Sequence, residues 1–307
     1  MTDNPTRRGL TRRGPGRRAV LGSLAAAAAG APLAFSRWAS ASASTTATTS
    51  TLASASTDGV PAFAPAAPQL LWSPSPSSDG LDAFEGIEAD RANLHPGRKY
   101  VYVEGDHYRF DIYKDDLDST GDGDRQRTES KGMVTDGDYL SMHDGETWSI
   151  TYEMYIPSTL HGTSHFTHIF QLKTVATNGG PWITLSPSRS GSTEILRAQA
   201  DSTSGNPAIA TTNLAPLRDK WITVQWTFTI GAKGTARFVA RNGTGSSAPV
   251  VVDGTKSNLN IPDQDDRVRP KWGIYRSIES ASSDIIDTHL LIRNYRGYRG
   301  TGTLPTS

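Results

Sequence analysis

Beyond Leu81 the chain holds no helical period longer than a turn or two, and short runs of alternating apolar and polar residues recur instead. KYVYVE, HYRFDIY, TWSITYEMYIP, HIFQLKTV, PWITLSP, EILRAQA, KWITVQWTFTI, TARFVARN, KWGIYRS and THLLIRNYRGY are bounded by Gly, Pro, Asn and Asp clusters. A period of two buries one side of a strand and wets the other. Many short strands at this spacing predict an all-β sandwich or jelly roll. The 307 residues include no cysteine, so disulfides and thiolate metal sites are excluded and stability must come from packing.

The first 78 residues lack this pattern. Residues 1–43 carry a basic start with Arg17 and Arg18, the alanine-rich SLAAAAAGAPLAF, and small-residue cleavage options around Ala39 to Ala43. That layout is an export signal. The arginine pair ahead of a weakly hydrophobic stretch resembles a twin-arginine signal, which predicts secretion of an already folded protein to the extracellular space. The apolar stretch is short for a membrane span, and no membrane association is expected after cleavage. Residues 44–78 are rich in Ser, Thr, Ala and Pro with almost no charge, so a flexible spacer is expected there. The β-domain then occupies 79–307, without internal repeats.

Lys plus Arg and Asp plus Glu each number 31, and a nucleic-acid partner, which usually needs a basic surplus, is not expected. No G-x-S-x-G, H-E-x-x-H, Walker or G-x-G-x-x-G motif is present. A retaining glycosidase would need paired carboxylates on one strand face, and the nearest pair, Glu88 and Asp90, precedes the main strands. HGTSHFTH gathers His161, His165 and His168 at zinc-like spacing. Parity places His168 on the core side with Phe170 and Leu172, so a polar loop entering a strand is the preferred reading. Asp116, Asp118, Thr120 and Asp122 have calcium-like spacing, but Arg127 stands at the twelfth position, where an EF-hand needs an acid. That leaves room for a structural calcium, and no cofactor is required.

Sorting the strands by face gives the strongest signal. Arg125, Arg127 and Glu129 share a face, and Gln171 with Lys173 oppose Phe170 and Leu172. Trp182 and Thr184 oppose Ile183 and Leu185, and Arg197 shares a face with Gln199. Lys271, Gly273 and Tyr275 oppose Trp272 and Ile274. A wet face on an antiparallel sheet is ordinary, yet this mixture suits an anionic sugar. Guanidinium and ammonium groups meet carboxylates, an amide both donates and accepts, and aromatic rings stack on sugar faces. Gly273 would leave room for a sugar ring, and a cation such as Lys271 favours the ionised form of a nearby phenol.

The order R-x-E on one strand, Gln in IFQLK, then DKWITVQWTF and KWGIYRS resembles the concanavalin A-like polysaccharide lyases over roughly residues 80–300. The likeness is closest to the heparin lyase I and glucuronan lyase group and more distant to the alginate lyases. It implies a β-jelly roll whose concave sheet forms a groove for an anionic polysaccharide. It also implies β-elimination on a 4-linked polyuronate, glucuronan first. Gln171 with Arg127 or Arg125 would neutralise the sugar carboxylate, and Tyr275 would remove the C5 proton and then protonate the leaving O4. Lys271 would supply charge, while Arg125, Glu129, Trp182, Arg197 and Gln199 would contact substrate.

In alginate and heparin lyases of this fold the strand reads Gln-x-His, and this chain has Lys173 at the His position. Either Lys173 supplies charge and Tyr275 performs all proton transfer, or a histidine comes from elsewhere. His107 is one candidate, because in HYRFDIY it shares a face with Arg109 and Asp111. A non-catalytic carbohydrate-binding domain on the same fold is the main alternative, and a glycoside hydrolase the next. The protein is expected to act as a monomer.

Overall fold

The computed structural model describes residues 67–118, 123–176 and 180–304. The expected export signal and the spacer up to residue 66 lie outside the described residues. Among the described residues one sheet has eight strands: β1 (Gln69–Trp72), β3 (Val101–Glu104), β4 (His107–Ile112), β8 (Thr147–Tyr155), β13 (Trp221–Thr229), β14 (Gly231–Arg241), β15 (Val250–Ile261) and β17 (Thr288–Arg299). Its order is β15, β14, β13, β8, β17, β4, β3, with β1 also paired to β17. A second sheet has seven: β2 (Gly86–Ala89), β5 (Arg125–Lys131), β9 (Thr167–Thr174), β10 (Ile183–Ser190), β11 (Thr193–Ala200), β12 (Ala208–Asn213) and β16 (Val268–Ser277). Its order is β12, β11, β10, β9, β16, β5, β2. The short pair β6 (Val134–Thr135) and β7 (Asp138–Tyr139) turns on Asp136 and Gly137, both at positive φ, as an Asp-Gly hairpin requires. These pairings are antiparallel. The last two strands enter the middle of the two sheets, β16 between β5 and β9 and β17 between β4 and β8.

The alternation read from sequence explains the core. In β13, Ile222, Val224, Trp226 and Phe228 are fully buried, while the residues between them stay partly exposed. Phe170 of β9 stacks on Trp226 at 5.0 Å and lies parallel to Phe228 at 6.1 Å. Trp272 of β16 meets Tyr295 of β17 at 4.9 Å. Rings from both sheets thus interlock, each pair contributing about 0.5–1.5 kcal/mol beyond its buried area. In a chain without disulfides this aromatic layer carries much of the cohesion between the sheets.

The domain starts earlier than expected. The spacer was expected to run to residue 78, but Gln69 and Leu70 pair with Arg299 and Tyr298, and Trp72 is buried against Trp272 at 5.4 Å. PQLLW is too short a run to display alternation, and its partner is a strand more than two hundred residues away in sequence.

Candidate active site

The polar face of the seven-stranded sheet is organised as two rungs. The first crosses five strands through Gln199, Thr184, Gln171, Lys271 and Lys131, which oppose one another in register. In the second, Arg197 opposes Ser186 and Tyr275 opposes both His168 and Arg127. The gap between β10 and β9 is closed by a 2.9 Å hydrogen bond between Ser186 Oγ and His168 Nδ1. Tyr275 stands in the second rung between His168 and Arg127.

The rungs are tied together by an ionic cluster. Glu88 of β2 lies directly opposite Glu129 of β5, an arrangement that like charges alone would disfavour. Lys271 Nζ bridges them, 2.6 Å from Glu129 and 2.8 Å from Glu88. Arg127 does the same at 2.7 and 3.2 Å, and its Nε reaches Asp118 at 3.1 Å. Gln171 donates an amide hydrogen bond to the other oxygen of Glu129. Burial alone would raise the Glu88 carboxyl, but Lys271, Arg127 and Lys131 outweigh it and hold the group down at about 2.

Tyr275 is held from several sides. Arg125 Nη1 donates to its hydroxyl oxygen at 3.0 Å, the Arg127 guanidinium lies 3.8 Å from its ring centre, and Phe166 and His168 pack against it. Arg125 is itself kept firmly protonated by its hydrogen bonds to Asp124 and Tyr275. The cations at the phenol are therefore Arg125 and Arg127. Lys271, expected to serve there, is 3% exposed and engaged by two carboxylates.

Gly273 also has a different purpose from the one expected. Trp272 faces Phe170 and Tyr275 faces His168, so Gly273 and Ile274 together stand against the single residue Ile169. This is a β-bulge, and Gly273 takes φ +130° within it. A Cβ there would collide with the Thr128 carbonyl and come within 2.8 Å of Glu129 Cα and 3.0 Å of Phe110. The glycine is required by backbone approach, not by space for a sugar.

The same irregularity overturns the parity of β9. His168 was expected on the core side, yet it turns to Ser186 and Tyr275 on the polar face while Phe170 and Leu172 remain in the core. Burial lowers the imidazole to about 4; Arg127 and Lys271 push the same way, and Asp201 and Glu129 oppose them. A neutral imidazole thus faces the phenol. An isolated glycine in a strand signals a bulge, so KWGIYRS held the one sequence clue to this residue.

Two other assignments are corrected. His107 lies on β4 in the other sheet, between Glu104 at 3.2 Å and Asp106 at 3.0 Å and against Trp221, because β4 pairs with β17 and not with the site strands. Trp182 is buried and donates its indole N–H to the Pro262 carbonyl at 2.8 Å, so it offers no plate for a sugar. Asp116 and Asp118, read as calcium-type oxygens, receive Arg98 and Tyr100, and Arg91 and Arg127, respectively. Thr120 and Asp122 lie outside the described residues.

Gln199 keeps its place in the site and donates to Asp201 at 2.6 Å, which also receives Thr184. Arg197 makes no hydrogen bond or ion pair among the described residues, and its Nε is enclosed without a partner. Lys173 is half-buried and likewise has no carboxylate in contact among the described residues; burial, then Lys271 and Arg127, hold it below the usual lysine range. Two uncommitted cations therefore flank the Tyr275 and Gln171 rungs.

No protein-family model and no curated protein matches the chain. Solved structures do. Alginate lyase A1-II′, described as a member of polysaccharide lyase family 7, is 12% identical, with 75% of this chain and 100% of that one covered and a TM-score of 0.52. The alginate lyase from Klebsiella pneumoniae is 11% identical over 73% of this chain and 98% of its own, with a TM-score of 0.48. Alginate lyase AlyC3, solved in complex with dimannuronate, is 10% identical over 67% and 80%, with a TM-score of 0.43. The first of these likenesses shows that the fold is a jelly roll. All three neighbours are alginate lyases, the group the sequence resemblance placed further away than the glucuronan and heparin lyases.

Proposed function

We propose that this protein is a polysaccharide lyase that cleaves a 4-linked polyuronate by β-elimination at the polar face of the seven-stranded sheet. The observation that carries this reading is Tyr275, whose hydroxyl oxygen accepts from Arg125 and which lies between His168 and Arg127 in a rung of polar side chains. The alginate lyase named as a neighbour at a TM-score above one half supports the same class through its fold.

The C5 proton of a uronate is weakly acidic because it lies beside a carboxylate, whose charge must be countered before an enolate-like intermediate forms. The amide N–H that Gln171 does not give to Glu129, together with Arg197 and Lys173, is suited to that task. Tyr275, as phenolate, takes the C5 proton. The C5–H electron pair forms the C4–C5 double bond, the C4–O4 bond breaks, and the phenol returns its proton to O4. Arg125 and Arg127 offset the negative charge on the tyrosine oxygen while it lacks the proton. His168, neutral and packed against the ring, adds no third positive charge beside the phenol.

Lys271 and Glu129 act as positioning residues, since their charges meet each other, and Glu129 also holds Arg127 against the Tyr275 ring. Glucuronan, the first choice from sequence, and alginate, the substrate in the neighbours' names, are the two polymers to try first. The basic, alanine-rich start is read as a twin-arginine signal, so the enzyme would work outside the cell, as a monomer and without a resident cofactor.

The test is ultraviolet absorbance of the unsaturated uronate when the mature protein meets glucuronan, alginate, a heparin-like chain and pectate. A rise with one polymer that disappears in Tyr275→Phe supports the reading. Retention on an immobilised polyuronate with no rise on any polymer would replace it with a carbohydrate-binding domain.

A further inference from the structure

The eight-stranded sheet carries its own polar cleft, of about 740 Å³, on the face turned away from the core. Alternation again decides what lies there. Tyr152, Val224, Trp226, Phe238 and Ala240 point into the core, which leaves Thr151, Thr223, Gln225, Thr227 and Arg241 on the outside. These residues align across the strands: Arg296 opposes Thr151, and Thr151 opposes Gln225; one step along, Thr223 opposes Arg241.

Hydroxyls and the Gln225 amide line the floor, with guanidinium groups at two sides; Glu153 and Asn294 also line the cleft, and Glu153 is held by Arg293 and by the Asn294 amide. Arg241 gives one N–H to the Ala248 carbonyl at 2.9 Å and makes no ion pair among the described residues. Arg296 is partly buried and has neither a hydrogen bond nor an ion pair among the described residues. Other cations nearby are committed, Arg237 to Asp253 at 2.6 Å and Arg293 to Glu153 at 2.8 Å.

The position of Arg296 depends on an unusual piece of backbone. Arg293 opposes Glu153 and Arg296 opposes Thr151, so β17 has one more residue than β8 over this span. Asn294 takes up the excess at φ +54°, a conformation that non-glycine residues seldom adopt. The bulge sends Arg293 and Arg296 to the outer face while Tyr295, between them, stays in the core. The bulge thus presents a guanidinium that makes no ion pair among the described residues.

We infer that this outer cleft is a second, non-catalytic binding site for an acidic polysaccharide chain, with Arg241 and Arg296 meeting its carboxylates and the threonine and glutamine row meeting its hydroxyls. Taking the ligand as the same polymer that enters the active site rests on the proposed function. The charge and hydroxyl pattern of the cleft stands apart from it.

Calorimetric titration of the Tyr275→Phe protein, full chain after export processing, with a defined hexauronate tests this. Two oligosaccharides per chain are expected, falling to one in the added double variant Arg241→Gln/Arg296→Gln. Gln225→Ala, which leaves the charges in place, should weaken the second site several-fold. A neutral cellohexaose should not occupy the cleft.

One site per chain, unchanged by the double variant, would overturn the outer site and leave the active-site reading intact. One site per chain that the double variant abolishes would uphold the outer site and remove the active-site reading. Loss of all binding along with loss of the far-ultraviolet β-signal would identify a folding defect, and Gln225→Ala would then decide.

Discussion

Arg125 on β5 donates to the hydroxyl oxygen of Tyr275 on β16, across a 3.0 Å hydrogen bond. Because that oxygen is already an acceptor, the phenol's own proton is directed away from Arg125. Arg127, stacked at 3.8 Å on the ring, keeps the tyrosine from turning aside. The pair of arginines therefore fixes both the direction and the charge environment of one oxygen atom.

Replacing Tyr275 by Phe removes that oxygen and keeps the ring contacts to Phe166, His168 and Arg127. Turnover on the responsive polyuronate should fall by about 10²–10⁴-fold, with KM little altered. Arg125→Gln, which keeps the phenol and removes the charged donor, should cost roughly tenfold or more. Initial rates measured by ultraviolet absorbance decide the matter, and full activity in Tyr275→Phe would sink the assignment.

Gly273→Ala should be far more damaging than its size suggests. It places a Cβ against the Thr128 carbonyl and asks alanine to adopt φ +130°. A loss on the order of 3 kcal/mol or more is expected, visible as a lowered denaturation midpoint. A midpoint equal to that of the parent would mean that the bulge is not needed.

Glu88 links acid sensitivity to the site. Its folded-state value of about 2 lies below the ordinary 4.5, so the unfolded chain takes up the proton first. The stability it contributes is complete above about pH 4.5 and is lost as pH falls towards 2. The contribution is on the order of 3 kcal/mol at neutral pH. Thermal melts at pH 6 and pH 3 should therefore differ less in Glu88→Gln than in the parent. An identical difference would show that the carboxylate is not held by Lys271 and Arg127.

His168 should remain neutral well into the acid range. Its folded value of about 4 lies below the ordinary 6.5, so protonation of the unfolded chain costs stability as pH drops from about 6.5 towards 4, with no further loss below. Nitrogen chemical shifts of the imidazole followed from pH 8 to 3 report the midpoint directly. A midpoint near 6.5 would place the ring in open water and remove it from the site.

The sequence made one part of this architecture plain and concealed another. Alternation in KWITVQWTFTI and EILRAQA carried over into the buried and wet faces of β13 and β11, and Gln171, Arg127 and Tyr275 do share one face. What alternation cannot register is its own interruption, and His168 sits one bulge away from where counting puts it. Nor does spacing report who pairs with whom. Glu88 looked like a stray acid before the main strands, and only the β2 to β5 pairing brings it to Lys271. His107 failed for the converse reason: its face matched the pattern, but its strand belongs to the other sheet.

Strand register is normally indivisible, since one added residue turns every later side chain over. At Gly273 and Ile169 the ladder between β16 and β9 is already interrupted, and the polar face resumes on either side of the break. The end with Gln171 and Lys271, both bonded to Glu129, and the end with His168 and Tyr275, where the proposed reaction occurs, each keep their own parity. An insertion in the loop before β9 could reshape the His168 and Tyr275 end and leave the Glu129-bound end in register. Descendants of such a chain could exchange substrates at one end of the sheet while inheriting the other unchanged.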